Sequence, residues 1–228
     1  MLSNDVEALA VGESCEALLL TAKARVIAPL VVHRRGEDDF LLLTEPELGE
    51  RVRGELTRMR FAAKTEIEAE EHTSTLVFGV RPSGGIRNRE FGRESWEVLD
   101  TAVEGERLSD LELERLRIEA GTPRYGREID DRVLPAEAGL VERAVSMTKG
   151  CYPGQEPIAR QHHRGKVNRR LRVLELDGAV EPETEIVLGE KPVGRVTSVA
   201  DGLALGYVRV EVPDDAELHI DGVRARLH

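Results

Sequence analysis

The stretch KGCYPGQE, residues 149–156, places a lone cysteine between a Lys-Gly pair and a Pro-Gly turn. The sequence PGQEPIARQHH that follows predicts the start of a helix, with Pro157 in the first turn, where a missing N–H does no harm. Cys151 would then lie just before the helix N-terminus and beside Lys149, and both features favour a thiolate over a thiol. The stretch indicates either a reactive thiol or an inert, half-buried cysteine.

A dense basic run follows this stretch. Its members are Arg160, Arg164, Lys166, Arg169, Arg170 and Arg172, with His162 and His163 among them. The whole chain is acidic, with a net charge of -11, which argues against binding along a nucleic-acid backbone. A local basic patch suits a small anion, or else it is a solvated face. Adjacent histidines point about 100° apart on a helix, so we expect no metal site here.

Composition and cysteine content set the broad class of the protein. The chain has 228 residues, 40% hydrophobic and 33% charged, which is typical of one large globular domain or a few small ones. No apolar run approaches the ~20 residues that cross a bilayer, and the N-terminal residues lack the features of a signal peptide. Cys15 and Cys151 form no disulfide framework. We therefore expect a cytoplasmic protein with neither membrane nor nucleic-acid partners.

The apolar pattern predicts an α+β fold in the first half of the chain. Residues 18–20, 26–32 and 40–43 are predicted strands, and Pro46 opens a helix with apolar residues at three- to four-residue spacing. Two further strands are predicted in TEIEAEE and TSTLVFGV, followed by a connection in RPSGGIRNREFGRES. Ser109 fits a capping box for a short helix near DLELER. The stretch LRIEAGTPRYGREID is predicted to begin as a strand and to end in a turn.

From Leu171 onward the pattern changes to short strands at regular spacing. They are LRVLEL, EIVLG, KPVGRVTSVA, LALGYVRV, AELHI and VRARLH, separated by Gly, Pro and Asp. This pattern predicts a small antiparallel barrel or sandwich.

KGCYPGQE resembles the signature of the YgfZ family of folate-binding proteins, relatives of the glycine-cleavage T protein (aminomethyltransferase). Other stretches are similar to the family in the same order, namely LSNDV, ALLLTAKARVIAPLVVHRRGEDDFLLLTEP, LRIEAGTPRYGREID and VGRVTSVADGLALGYVR. The resemblance spans nearly the whole chain. It implies an α+β fold in a three-lobed T-protein-like ring, with two α+β lobes with antiparallel sheets, a C-terminal antiparallel β-barrel, and tetrahydrofolate in the central channel.

The resemblance also implies a division into lobes. The first folate-binding lobe would comprise residues 1–45 and 108–165, the second α+β lobe residues 46–107, and the barrel residues 166–228. Family members carry a segment before LSNDV that supplies a strand and a helix to the first lobe. We therefore expect this lobe to be N-terminally truncated relative to the family, with strand-edge groups and apolar surface exposed.

One difference from the aminomethyltransferase sequence pattern affects the activity that we expect. Aminomethyltransferases keep an Asp in a Gly-Gly-Ile-x-Asp-Asp stretch, and the resemblance aligns Ala28 and Pro29 there. Neither residue accepts a proton. The resemblance thus implies a tetrahydrofolate-binding protein that supports iron–sulfur cluster assembly or repair, with assembly proteins or client enzymes as partners. A folate-dependent aminomethyltransferase of the glycine-cleavage type and a non-catalytic scaffold are the alternatives, so whether the chain is an enzyme stays open.

The resemblance also supplies candidate site residues. Cys151 would be the working thiol at the folate channel. Glu119 would bind the donor edge of the pterin as a buried carboxylate, or else be a strand-end surface residue. Tyr125 would border the ring, or else pack in the core. The full set of expected folate-binding residues is Glu119, Tyr125, Lys149, Gln155, Glu156, Arg160 and Arg164. Arg160 and Arg164 would lie one helical turn apart and bind the anionic glutamate tail.

Overall fold

The first sheet has both faces buried. The computed structural model of the chain describes residues 1–60, 64–165 and 167–228, with His163 and Arg164 described in their backbone only. Strands β1 (Ser14–Leu20), β2 (Val26–Arg34) and β3 (Phe40–Leu43) pair antiparallel in the order β1-β2-β3. Alternate residues of β1 enter two different apolar clusters, which is why its sequence reads as an apolar run rather than as alternation.

Helix α1 (Gly49–Met59) covers one face of this sheet, after a single 3-10 turn at Pro46–Leu48. Its buried residues Val52 and Leu56 pack in the same cluster as Leu19 and Ile27. The helix predicted from Pro46 is thereby confirmed. The division into lobes assigned this helix to the second lobe, although it packs on the first sheet, and that division stays a prediction.

Residues 2–4 cover part of the outer edge of β1. The Ser3 N–H donates to the carbonyl of Leu18, and the Ser3 hydroxyl accepts from the Leu18 N–H at 2.7 Å. The Asn4 amide donates to the carbonyl of Glu16. The expected exposure of strand-edge groups is therefore wrong for this part of β1, because polar groups just before the strand satisfy them.

The second sheet contains β4 (Ser74–Phe78), β5 (Ile86–Asn88) and β6 (Ser95–Leu99) in the order β4-β6-β5. Strand β5 lies in the stretch predicted as a plain connection. The strand predicted in TEIEAEE is wrong, because residues 65–71 form no strand. Six of those seven side chains are exposed, so their alternation reflects no buried face.

Helix α2 (Asp110–Glu119) begins at the predicted capping box, in which Ser109 and Glu112 each bond the backbone N–H of the other. The helix continues through Glu119, so the strand predicted for the start of LRIEAG is wrong. Gly121, with φ of 66°, follows the end of the helix. Two more helices follow, α3 (Val141–Ala144) and α4 (Gln155–Arg164), and α4 confirms the helix predicted around Pro157.

The C-terminal strands close into a barrel. They are β7 (Arg169–Leu176), β8 (Glu185–Leu188), β9 (Lys191–Ala200), β10 (Leu203–Arg209), β11 (Leu218–Ile220) and β12 (Val223–Leu227). Their order is β10-β7-β12-β11-β8-β9, which returns to β10 and leaves no open edge. A Cβ at Gly206 would lie 2.7 Å from the Arg195 carbonyl, so glycine permits the close approach of β10 and β9. The α+β fold class with its barrel is confirmed.

A buried ion pair fastens the barrel to the rest of the chain. The side chains of Arg117 in α2 and Glu128 are fully buried, with 3.0 Å between Nη1 and Oε2. The Ser198 hydroxyl of β9 accepts from Arg117 and donates to Glu128. The Tyr207 hydroxyl of β10 donates to the Glu128 carbonyl at 2.9 Å. Beside them, Ile118 of α2 packs on barrel residues.

Glu128→Leu should strongly destabilise the protein, because it removes the fully buried carboxylate beside Arg117 and leaves only the partly exposed Glu114 to balance the buried charge. We expect the free energy of unfolding to fall by about 3–5 kcal/mol, measured by urea denaturation. Arg115→Gln is the matched control, since Arg115 and Asp201 join the same helix and the barrel through exposed side chains. That change should cost less than about 1 kcal/mol. Equal losses for the two variants would contradict the buried pair's role.

Candidate functional site

A cavity of about 220 Å³ lies where the two sheets meet the segment of residues 122–144. The first sheet contributes Pro29 and Leu30, and the second contributes Asn88 and Glu97. The remaining wall includes Leu140. A concave, partly apolar space with a few polar groups between packed units is the usual form of a small-molecule site.

Arg143 of α3 forms hydrogen bonds to three parts of the chain around the cavity. Its guanidinium bonds both carboxylate oxygens of Glu16 in β1, at 2.5 and 2.9 Å. It also donates to the Thr122 hydroxyl and to the Arg89 carbonyl, each at 3.0 Å. A bidentate arginine–carboxylate pair is both strong and geometrically specific. Arg143 therefore fixes the first sheet, the 122–144 segment and the second sheet around the cavity.

Glu45 presents an open carboxylate to the same cavity. Burial, followed by the nearby Glu90 carboxylate, raises the pKa of Glu45. Glu90 itself bonds Arg124 at 3.3 Å. Within the described part of the chain, the Glu45 side-chain oxygens accept no hydrogen bond and form no ion pair. An ionised carboxylate has about four acceptor positions, so Glu45 can accept N–H groups from a bound molecule.

The KGCYPGQE segment packs elsewhere, against residues 2–24. Gly154 has φ of 83°, and a Cβ there would lie 2.7 Å from the Thr21 carbonyl, so this turn requires glycine. The Lys149 ammonium donates to the carbonyls of Leu2 and Asn4 at 2.8 and 2.9 Å. Cys151 is exposed. The segment is thus held by its glycine and its lysine, while its thiol faces solvent.

Comparison with known proteins agrees with this architecture. Residues 168–228 match the family model described as CAF17, C-terminal beta-barrel domain. The crystal structure of glycine cleavage system aminomethyltransferase T from Bartonella henselae superposes with a TM-score of 0.83 at 19% identity. That superposition covers 100% of this chain and 78% of the other, so the two share a fold.

Proteins of similar sequence indicate the type of family. The mitochondrial iron-sulfur cluster assembly factor IBA57 of Mus musculus is 34% identical over 54% of this chain and 36% of its own length. An aminomethyltransferase of Prochlorococcus marinus is 25% identical over 87% of this chain and 58% of its own length. These matches fit a YgfZ/IBA57-type family of aminomethyltransferase-like proteins. The chain spans less than two thirds of either relative.

Two candidate residues, Glu119 and Tyr125, flank the cavity residues Thr122 and Pro123 in sequence but do not themselves line the cavity. Glu119 ends α2 with its side chain 47% exposed and 3.9 Å from Arg93, so the expected burial of its carboxylate is wrong. The helix turns that carboxylate outward, whereas its neighbour Ile118 is buried. The Tyr125 hydroxyl accepts from Arg51 at 2.7 Å, and its ring contacts both clusters of the first sheet.

The other candidates lie on the KGCYPGQE segment and α4, which contribute none of the described residues that line the cavity. Arg160 pairs with Glu156 at 2.5 Å, and both side chains are exposed. Gln155 is the first residue of the helix. The Arg164 side chain lies outside the described residues. Helix α4 instead borders a second space, of about 240 Å³, against residues 136–142 and β7.

Sequence reasoning did not identify Glu16, Glu45 or Arg143 as site residues. Glu45 carried one usable signal, because it is a charged residue directly between a predicted strand and Pro46. Glu16 and Arg143 carried none, since they are 127 residues apart and meet only in the folded chain.

The described residues meet the requirements neither of a membrane-spanning helix nor of a metal site. None of the helices within the described ranges is long and apolar enough to cross a bilayer. Those ranges also contain no group of three His, Cys, Asp or Glu arranged to hold a metal ion. The relatives include a mitochondrial protein, and a cytoplasmic location for this chain stays a prediction.

The two thiols should differ in reactivity. Cys151 is exposed, whereas Cys15 is half-buried and burial raises its pKa, against weaker opposing effects of Arg89 and Lys149. A raised thiol pKa leaves less thiolate at neutral pH, and the thiolate is the nucleophile. Iodoacetamide should therefore label Cys151 several-fold faster than Cys15, as measured by peptide mass spectrometry. In urea the two rates should converge, and faster labelling of Cys15 in the folded protein would contradict this arrangement.

Proposed function

We propose that the chain binds tetrahydrofolate in the cavity between the two sheets and supports iron–sulfur cluster assembly or repair in other enzymes. The observation that carries this proposal is the open carboxylate of Glu45 in a cavity of the aminomethyltransferase fold. The assembly role is supported by relatives named as iron-sulfur cluster assembly factors, from mouse and human, at 34% and 31% identity. Its partners would be iron–sulfur assembly proteins or client enzymes.

The residues present suit a reduced pterin. A pterin is flat and offers an N–H and an amino group on one edge, which a carboxylate can accept as a pair. Glu45 has that acceptor capacity, and Leu30, Leu43 and Leu140 provide apolar walls. When bound, tetrahydrofolate supplies one-carbon carrier chemistry. We assign Glu45 to hold the donor edge and Arg143 to keep the wall in place.

An aminomethyltransferase activity is the second candidate, supported by relatives of that name. Against it, Ala28 is fully buried and Pro29 lines the cavity, so the aligned positions offer no carboxylate to the ligand. A general base must lie within hydrogen-bond reach of the proton that it removes. Turnover of an aminomethyl-lipoyl donor to methylenetetrahydrofolate would favour this second function over the first.

The exposed KGCYPGQE segment has a distinct role in this proposal. Cys151 presents its thiol to a partner protein, and Lys149 positions the segment by holding residues 2–4. The other residues implied by the resemblance, Glu119, Tyr125, Gln155, Glu156, Arg160 and Arg164, are not among the described residues that line this cavity, and they remain proposed contacts for parts of folate that extend beyond it. Arg160 would have to exchange its Glu156 partner for the glutamate tail.

Folate binding should depend on the charge of Glu45. Its pKa is raised, so as pH falls it becomes neutral at a higher pH than an ordinary glutamate. A protonated acid loses acceptor positions, so tetrahydrofolate affinity should fall as pH falls through that raised pKa. Glu45→Gln should weaken binding by about 10- to 100-fold and flatten the pH dependence, measured by calorimetry under anaerobic conditions.

Glu47→Gln is the matched control, since Glu47 lies two residues away on the exposed surface. It should leave the affinity unchanged and shift the pH dependence only slightly, since Glu47 contributes less than burial and Glu90 to the raised pKa of Glu45. No heat at millimolar tetrahydrofolate with the native protein would reject folate binding and favour a non-catalytic scaffold.

The Cys151 thiol should be required in the cell. In a strain that lacks the gene, iron–sulfur enzyme activities should fall, and a native copy should restore them. A Cys151→Ala copy should fail to restore them, because the exposed thiol is lost while the fold is kept. A Cys15→Ala copy controls for the loss of any cysteine and should restore activity. Full rescue by Cys151→Ala would remove this thiol from the mechanism.

A further inference from the structure

The second sheet contains a buried donor with no acceptor. Trp96 of β6 is only 7% exposed, and its indole nitrogen is buried without a hydrogen-bond partner. An indole N–H can only donate. A buried donor without a partner costs free energy, and a water, ion or ligand that accepts from it would recover that cost.

Two arginines converge on the same indole. Arg87 lies directly across the strands from Trp96, and its guanidinium carbon is 5.6 Å from the ring centroid. Arg81, in the connection between β4 and β5, is 4.9 Å from the same centroid. Both are exposed, and neither has a carboxylate within 4.0 Å in the parts of the chain that the structure describes. The ring, not an acidic residue, holds them in place.

Two neighbouring arginines without a carboxylate partner are unusual in this chain. The net charge of the protein is -11, and most of its other arginines bond carboxylates or carbonyls. Residues 81–94 carry four arginines against two glutamates, a local net charge of +2. Two guanidinium groups at 4.9 and 5.6 Å from one ring centroid together attract an anion.

The cluster is separate from the cavity. Glu97 lines the cavity, and successive residues of a strand point to opposite faces of a sheet. Trp96 and its cross-strand neighbour Arg87 therefore face away from the proposed folate site. Toward the first sheet, Arg81 is close enough to His33 to add to the lowering of its pKa, which burial mainly causes.

We infer that Arg81, Arg87 and the indole N–H of Trp96 form a binding site for an oxyanion, as a phosphate or carboxylate group. All three groups only donate, so the site takes an acceptor and rejects cations. Guanidinium groups match both oxyanions with paired N–H bonds. The ligand would reach the site from solvent on the exposed arginines and accept from the indole at its inner end.

Trp96 reports on this site directly, because it is the only tryptophan of the chain. In a 15N-labelled sample its side chain gives a single indole N–H signal. Inorganic phosphate is the phosphoryl probe and tri-γ-glutamate is the carboxylate probe. Each should be titrated at constant ionic strength, with sodium chloride as the control. We expect a saturable shift of this signal with at least one of them, together with a change in tryptophan fluorescence. A shift with phosphate alone assigns a phosphoryl ligand, and a shift with the peptide alone assigns a carboxylate.

Arg81→Gln and Arg87→Gln should each weaken this binding by about tenfold or more, since each removes a charge-assisted donor. Arg226→Gln, an exposed barrel residue, is the control and should leave the affinity unchanged. Thermal unfolding checks that each variant is folded. The inference is overturned if neither anion moves the indole signal beyond sodium chloride, or if both arginine variants bind as tightly as the native protein.

Discussion

The position of the barrel depends on one buried guanidinium. Arg117 has five N–H donors, and all five are used, by Glu114 twice and once each by Thr122, Glu128 and Ser198. The guanidinium in turn holds the pKa of Glu114 below its ordinary value. Because a buried charge is tolerated only when its donors are satisfied, α2, the following turn and β9 can pack only in this mutual arrangement.

The chain segment that contains Glu128 also holds the walls of the cavity together. From Glu128 the chain continues to Arg143, whose guanidinium clamps Glu16 of the first sheet and the carbonyl of Arg89 beside the second. The hydrogen bonds of Arg143 thus join the first sheet, the 122–144 segment and the second sheet around the cavity, and those of Arg117 hold the same segment to the barrel. Glu45 is a cavity carboxylate that bonds neither arginine in the described part of the chain, so its oxygens are available to a ligand. The exposed Cys151 lies on a different segment, so the cavity and this cysteine occupy different places on the protein.

Much of the fold was predictable from local sequence. Helix α1, the first sheet and the barrel strands follow from spacing of apolar residues, and the capping box at Ser109 marks the start of α2. Two predictions failed for physical reasons. Alternation in residues 65–71 has no buried face to support a strand. LRIE is helical because it continues the helix that starts at the Ser109 capping box, and this helix buries Arg117 and Ile118.

For the site, the sequence by itself indicated which segment is unusual, namely KGCYPGQE. The structure adds that a Cβ at Gly154 would lie 2.7 Å from the Thr21 carbonyl, which favours glycine there. The sequence also placed the chain among the aminomethyltransferase-like proteins. Only the tertiary structure decided which side chains meet. Arg143 and Glu16 are 127 residues apart, and Arg117 and Ser198 are 81 apart, so no local pattern encodes either contact. Such pairs form when packing brings distant elements together and burial then demands that each charge find its partner.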